Sequence, residues 1–167
     1  MPSYVPPANG LSQIHLVGAG DARLEEIRKL FIEYADWLGV DLSFQGFDEE
    51  LTSLPGDYGE PHGALFLCMR GREAAGCVAI RPLDGDVCEM KRLWVRPRFR
   101  GQSLGLRLAS ASIDAAHRLG FRTMRLDTLD WMSDALRLYR SLGFHEIPPY
   151  YDNPLPGAVY LQKSLVQ

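Results

Sequence analysis

The densest chemistry in the chain lies where Arg92 to Val95 gives way to "RPRFRGQSLG", Arg96 to Gly105. A β-forming run ends in arginines, then Gly101 and Gly105 bracket the start of a helical pattern. A helix start carries unpaired N–H groups and roughly +0.5 of a charge, so it draws anions. Gly101 and Gly105 let a ligand approach the backbone, and Arg100 adds a full charge. Arg96 and Arg98 can serve a distal phosphate or solvent alone, and Lys91 and Arg92 precede them on the strand. The turn reads as a diphosphate grip; a solvated basic strand edge is the bland alternative.

The elements that must position this turn follow from periodicity. "SQIHLV" (Ser12 to Val17) reads as a strand. Asp21 can cap a helix that buries Leu24, Ile27, Phe31, Tyr34 and Leu38 and ends at Gly39. "VDLSFQGF" reads as a loop with two exposed aromatics, Phe44 and Phe47, and Asp48 as the cap of a short helix. "ALFLCMRG", "EAAGCVAIRPL" and "VCEMKRLWV" form an antiparallel meander. A long helix from Ser103 to Leu119 has one side lined by Leu104, Leu108, Ala111, Ala115 and Leu119. "RTMRLDTL" then runs parallel to the strand before that helix. A helix from Ser133 to Leu142, the strand "HEI", a loop "PPYYDNPLPG" and a last strand "AVYLQKSL" complete a βααβββαβαββ order. This is an α/β domain with a mixed central sheet of six to seven strands and about four helices. Residues 1–11 read as a flexible terminus and 12–167 as a single domain.

Composition removes other classes. A net charge of −3 lacks the broad basic surface of a nucleic-acid binder. No apolar run approaches the ~20 residues that span a bilayer. Three cysteines (Cys68, Cys77, Cys88) in strand-like stretches read as reduced buried thiols, which with the non-basic start of the chain suits a cytoplasmic location. The four histidines are scattered and offer no metal cluster. "HLVGAGDARLEE" begins like a dinucleotide fingerprint, but Arg23 stands where the third glycine belongs.

"RGQSLG" resembles the Arg/Gln-x-x-Gly-x-Gly/Ala signature of the GNAT acyltransferase superfamily, and "ALRLYRSLGF" (Ala135 to Phe144) resembles its tyrosine-bearing helix. "SFQGFDEEL", "CEMKRL" and "PPYYDNPLPG" are similar to a bacterial subgroup of small acetyltransferases. Two positions depart from the pattern: Ser103 replaces the middle glycine, and Met132 replaces an asparagine that hydrogen-bonds the pantetheine arm. Ser103 is expected to cap the long helix.

The resemblance implies direct transfer of an acetyl group from acetyl-CoA to an amine, with no metal. It assigns the pyrophosphate to Arg100, Gly101, Gln102, Ser103, Leu104 and Gly105. It assigns the pantetheine arm to the backbone of Leu93, Trp94 and Val95, laid alongside like an added strand. A lysine-like amine must lose a proton at a cost of about 4.6 kcal/mol at pH 7. Glu89 is the expected base, through water, against a salt bridge to Lys91 or Arg125 as its structural alternative; Tyr139 is the expected acid for the leaving thiolate. His62, His117 and His145 are weaker candidates for the base. Phe44, Gln45, Phe47, Tyr150, Tyr151 and Asn153 are expected around a small amine or amino-acid-like acceptor. A protein or peptide amine, or a silent acyl-CoA sensor, are the other readings. Pairing of the last strand with a second copy would give a homodimer.

Overall fold

The computed structural model describes residues 11–166, so the expected flexible terminus lies, but for Leu11, outside the described residues. The strands are β1 (Ser12–Leu16), β2 (Ala64–Arg70), β3 (Glu73–Asp84), β4 (Val87–Val95), β5 (Thr123–Leu129), β6 (His145–Ile147) and β7 (Ala158–Ser164). The helices are α1 (Leu24–Leu38), α2 (Phe47–Ser53), α3 (Leu104–Arg118) and α4 (Ser133–Ser141). All seven strands form one sheet in the order β1-β2-β3-β4-β5-β7-β6. Only β4 and β5 run parallel, joined across α3; every other neighbouring pair is antiparallel. The mixed α/β class and element order match the sequence expectation.

Alternation along the strands splits the core into two layers. Ala64, Phe66 and Cys68 of β2 point to the layer that holds Leu104, Leu108, Leu136 and Tyr139 of α3 and α4. Leu65 and Leu67 point to the layer that holds Ile27, Leu30 and Phe31 of α1.

β4 breaks the alternation. Cys88 and Met90 face the α3 layer, and so do Leu93 and Val95, one position out of phase. Between them the register with β3 slips: Ala79 opposes Lys91 while Cys77 opposes Trp94. One extra residue is thus inserted in β4, and Arg92 takes up a left-handed conformation at φ 60°. Strict alternation would place Arg92 among Cys88 and Met90. The bulge turns it onto the α1 face, beside Lys91.

Several local expectations are corrected. Phe47 is buried, because Gly46 starts α2 one residue ahead of Asp48, which caps nothing. Asp21 accepts the Arg23 N–H at 2.9 Å and so closes the turn before α1 rather than capping it. In α3, Ala109, Ser112 and Ala116 are buried while Leu119 lies at the exposed end. β7 lies between β5 and β6, so it is not the free edge a second copy would need.

Gly76 marks the closest approach of β3 to its neighbours. A Cβ there would stand 2.6 Å from the Trp94 carbonyl oxygen and 3.1 Å from a Leu108 methyl. Gly76→Ala should therefore destabilise by about 1–3 kcal/mol. Thermal unfolding should show a midpoint lower by roughly 2–12 °C.

Candidate active site

β4 and β5 pair over three positions only, Val87↔Thr123, Cys88↔Met124 and Glu89↔Arg125. Beyond them the strands part, while β4 stays bonded to β3 and β5 to β7. The fork leaves one edge of Met90–Val95 without a strand partner. Three cavities follow it through the sheet.

The largest, about 640 Å³, runs along Leu93, Trp94 and Val95 to the start of α3. Arg100, Gly101, Ser103, Leu104 and Gly105 line it, with the start of α4 opposite. The sequence-predicted residues thus come together, except Gln102, which is exposed and outside the lining. Ser103 precedes α3 at φ 62° and makes no side-chain cap. The expected capping is therefore not made: Ser103 is held in the left-handed backbone that a glycine takes up more easily, so its hydroxyl is not set toward the first helical amides. The free amides of Leu104, Gly105 and Leu106 still open the helix toward the cavity.

The guanidinium of Arg100 lies 5.2 Å from the Trp37 ring and 4.9 Å from the Trp94 ring, and donates to the Val95 carbonyl at 3.1 Å. Arg96 is spent on Glu33 at 2.7 Å, and Arg98 pairs with Glu73, so neither reaches the turn. Trp37 packs at a tilt against Trp131 at 5.4 Å and against Trp94 at 5.2 Å, which brings all three tryptophans of the chain to this cavity. Sequence reading missed Trp37 and Trp131: only the fold joins the end of α1 to the loop after β5.

A narrow cavity of about 40 Å³ sits at the fork, lined among others by Tyr34, Met90, Lys91, Arg92, Asp127 and Met132. It shares Tyr34 and Met132 with the large cavity. The Met132 sulfur accepts a 3.4 Å contact from the Thr128 hydroxyl, and its side chain has no donor to offer, as the departure from the family pattern implied. A third cavity of about 260 Å³ shares Gln45 and Lys91 with the narrow one and adds Phe44, Arg81, Leu83, Glu89, Tyr150 and Tyr151. The two predicted loops do face each other: the Gln45 amide donates to the Tyr151 hydroxyl at 3.2 Å. Phe47 is corrected here too. It lies beneath the Arg92 guanidinium, 5.1 Å from its carbon, and lines no cavity wall.

Glu89 is buried on this wall, with both oxygens engaged. Oε1 accepts from Arg81 at 2.9 and 3.0 Å, and Oε2 accepts from the Tyr150 hydroxyl at 2.6 Å. Its ion pairs are with Arg81 and, at 3.8 Å, with Lys91, as the structural alternative allowed, and not with Arg125, which instead donates to Gln162. Asp127, unremarked in the sequence, accepts from Tyr151 at 2.7 Å and Asn153 at 3.2 Å through Oδ2. Burial pushes its carboxyl above the usual range, against the pull of Lys91. Burial and the neighbouring Arg92 hold the Lys91 ammonium below its ordinary value. Tyr139, on α4, packs edge-on against Phe144 at 5.8 Å. Burial raises its phenol, with smaller contributions from Tyr34 and Asp127. His117 is exposed, and His145 opens the edge strand β6.

Comparison with known proteins agrees with this fold. Residues 24–144 match the acetyltransferase (GNAT) family. The chain is 44% identical over 144 residues to an uncharacterized N-acetyltransferase of Schizosaccharomyces pombe, covering 85% of this chain and 88% of that one, so the likeness extends beyond bacteria. A thialysine N-epsilon-acetyltransferase of Sus scrofa is 28% identical over 68% of this chain and 62% of its own length. Among solved structures, an acetyltransferase of the GNAT family from Staphylococcus aureus superposes with a TM-score of 0.74 at 19% identity, covering 92% of this chain and 100% of the other. A Bacillus subtilis acetyltransferase in complex with CoA superposes with a TM-score of 0.66 at 21% identity, over 93% and 100% of the two chains.

Gly105 separates a demand of the fold from a demand of the ligand. A Cβ there would meet only Leu138 at 3.6 Å and Val95 at 4.0 Å, which is ordinary contact. Gly105→Ala should hold or raise stability by up to about 1 kcal/mol, since alanine favours a helix. It should also weaken acetyl-CoA binding about tenfold or more, by holding the phosphates off the helix amides. Tryptophan emission is the readout, because the three indoles crowd the same cavity; saturating acetyl-CoA without an emission change would place the coenzyme elsewhere.

Proposed function

The chain belongs to the GNAT acetyltransferase family and is an acetyl-CoA-dependent N-acetyltransferase; from that premise we propose that its acceptor is the amine of a small molecule. The observation that carries the reading is the continuity of the three cavities through the β4–β5 fork. The large one fits an extended coenzyme arm, and the 260 Å³ one opens on the opposite side of the narrow junction. Its aromatic walls with a few fixed polar groups suit a small ligand. The Sus scrofa relative, by its name, acts on thialysine, itself a small amine.

In this reading Arg100 and the amides of Leu104 and Gly105 hold the pyrophosphate, with Gly101 and Ser103 shaping the turn. The open edge of Leu93, Trp94 and Val95 pairs with the amides of the pantetheine arm. A β4 N–H near Leu93 polarises the thioester carbonyl, a donor worth about 3 kcal/mol. Phe44, Gln45, Tyr150 and Tyr151 enclose the acceptor, while Asn153 and Phe47 brace this wall from behind. Glu89 acts through its partners: it neutralises Arg81 and fixes Tyr150.

Tyr139 supplies the proton for the leaving thiolate. Burial keeps the phenol protonated across neutral pH. The thiolate is born in the same dry surroundings, where its own proton affinity rises as well. Thiol release from acetyl-CoA across a panel of small amines, with products weighed by mass spectrometry, tests the assignment; turnover confined to peptide amines would refute it. Tyr139→Phe should cut turnover by roughly 10²–10⁴ while acetyl-CoA affinity changes little. Unchanged turnover would remove Tyr139 from the chemistry.

A further inference from the structure

We propose that the acceptor is a small free amino acid, bound at the fork as a zwitterion, its carboxylate on Lys91 and its ammonium against Asp127, which takes the proton. The proposal rests on the small-amine reading above and adds the acceptor's second charge and the base.

The register brings the two groups together. Glu89↔Arg125 is the last β4–β5 pair, so Lys91 and Asp127 stand two residues on, on the same face, where the strands separate. Both line the narrow cavity.

A charge census then leaves these two the least satisfied charges at the fork. Arg81 is matched by Glu89 at 2.9 Å. Arg92 is matched by Glu50 at 2.8 and 3.2 Å, and its remaining arm donates to Gln45 at 2.9 Å. Arg125 donates to Gln162 and lies over the Tyr150 ring. Lys91 has one hydrogen bond, to Gln45 at 3.2 Å, with the already paired Glu89 at 3.8 Å. Asp127 Oδ1 makes no hydrogen bond among the described residues, and no ion pair joins Asp127 to Lys91. A buried ammonium with three donors and one acceptor is incompletely satisfied. A carboxylate entering from the 260 Å³ cavity, whose wall Lys91 also forms, would complete it. Asp127, which lines the same cavity and keeps Oδ1 without a hydrogen bond among the described residues, offers the matching site for an ammonium. A peptide-borne lysine has no carboxylate to give Lys91, and a peptide N-terminus presents a neutral carbonyl in its place.

The step balances. Asp127 takes one proton from the acceptor ammonium. The neutral nitrogen attacks the thioester carbonyl carbon, and the C–N bond forms as the C–S bond breaks. Sulfur leaves with the bonding pair and takes the Tyr139 proton; the nitrogen's surplus proton restores Tyr139. The products are the N-acetyl amino acid, the CoA thiol and one proton, which Asp127 returns to water.

The test compares free amino acids with their own carboxamides, using acetyl-CoA and the full chain. The wild type should favour the free acid in kcat/KM by about 100-fold. Lys91→Met and Lys91→Gln should each collapse that ratio toward unity. Asp127→Asn, which keeps an acceptor for Tyr151, should lower kcat by roughly 10²–10⁴ and do so more than Glu89→Gln. Acetyl-CoA titration by tryptophan emission confirms that each variant folds. Equal or better turnover of carboxamides would overturn the carboxylate anchor, and a larger loss in Glu89→Gln would overturn Asp127 as the base. If only peptide amines were acetylated, the small-amine reading itself would fall, a result distinct from either.

Discussion

Parallel strands that pair and then separate are the constraint on which the molecule depends. A parallel pair is held by slanted hydrogen bonds along its length. β4 and β5 forgo most of theirs after Glu89 and Arg125. The open backbone groups must find partners in a ligand or in water, because buried ones left unpaired are costly. The fold bears this opening because on their far sides β4 pairs with β3 on either side of its bulge and β5 pairs with β7 along its whole length. The fork is therefore an open slot between two strands paired on their outer sides, and in the proposed function an extended amide-bearing arm supplies the hydrogen bonds that a strand would have made.

The bulge in β4 sets what meets that slot. By adding one residue it places Lys91 and Arg92 on one face and returns Leu93 and Val95 to the α3 layer. Two adjacent buried cations would be prohibitive without anions. Glu50 from α2 answers Arg92 in a two-pronged pair, and Gln45 bridges Arg92 and Lys91 through one oxygen. α2 and the turn before it are thus tied electrostatically to the fork, although they lie more than forty residues away in sequence. Removing one member of such a buried pair leaves an uncompensated charge, which costs far more than the pair contributes.

Much of this was legible in the residues. The alternations and glycine stops gave the strand and helix order, and the Arg100–Gly105 turn with the Tyr139 helix pointed to the family. What stayed hidden has a common cause. The bulge shows in sequence only as a phase slip, Cys88 and Met90 against Leu93 and Val95, readable once the register is known. Phe47 looked exposed because a loop was expected where Gly46 starts α2. Asp127 carries no local signal: one acid in an alternating strand is ordinarily a solvated residue, and its place at the fork follows from pairing across the sheet. Trp37 and Trp131 meet through packing alone.

The electrostatics and the shape of the site have one origin. The narrow junction is small enough to exclude bulk water, and in such a place opposite charges interact more strongly than at the surface. Loss of water also disfavours each charged form by itself, and this outweighs the attraction between them, so the Asp127 carboxyl is pushed up and the Lys91 ammonium, with Arg92 beside it, is pulled down. A carboxylate of raised proton affinity is better matched to drawing a proton from an ammonium than an exposed one would be. Glu89, by contrast, has both oxygens already engaged, by Arg81 and by the Tyr150 hydroxyl, whereas Asp127 keeps one oxygen without a hydrogen bond among the described residues. Two carboxylates on adjacent strands therefore differ in chemistry because one sits where the strands still pair, and the other where they have come apart.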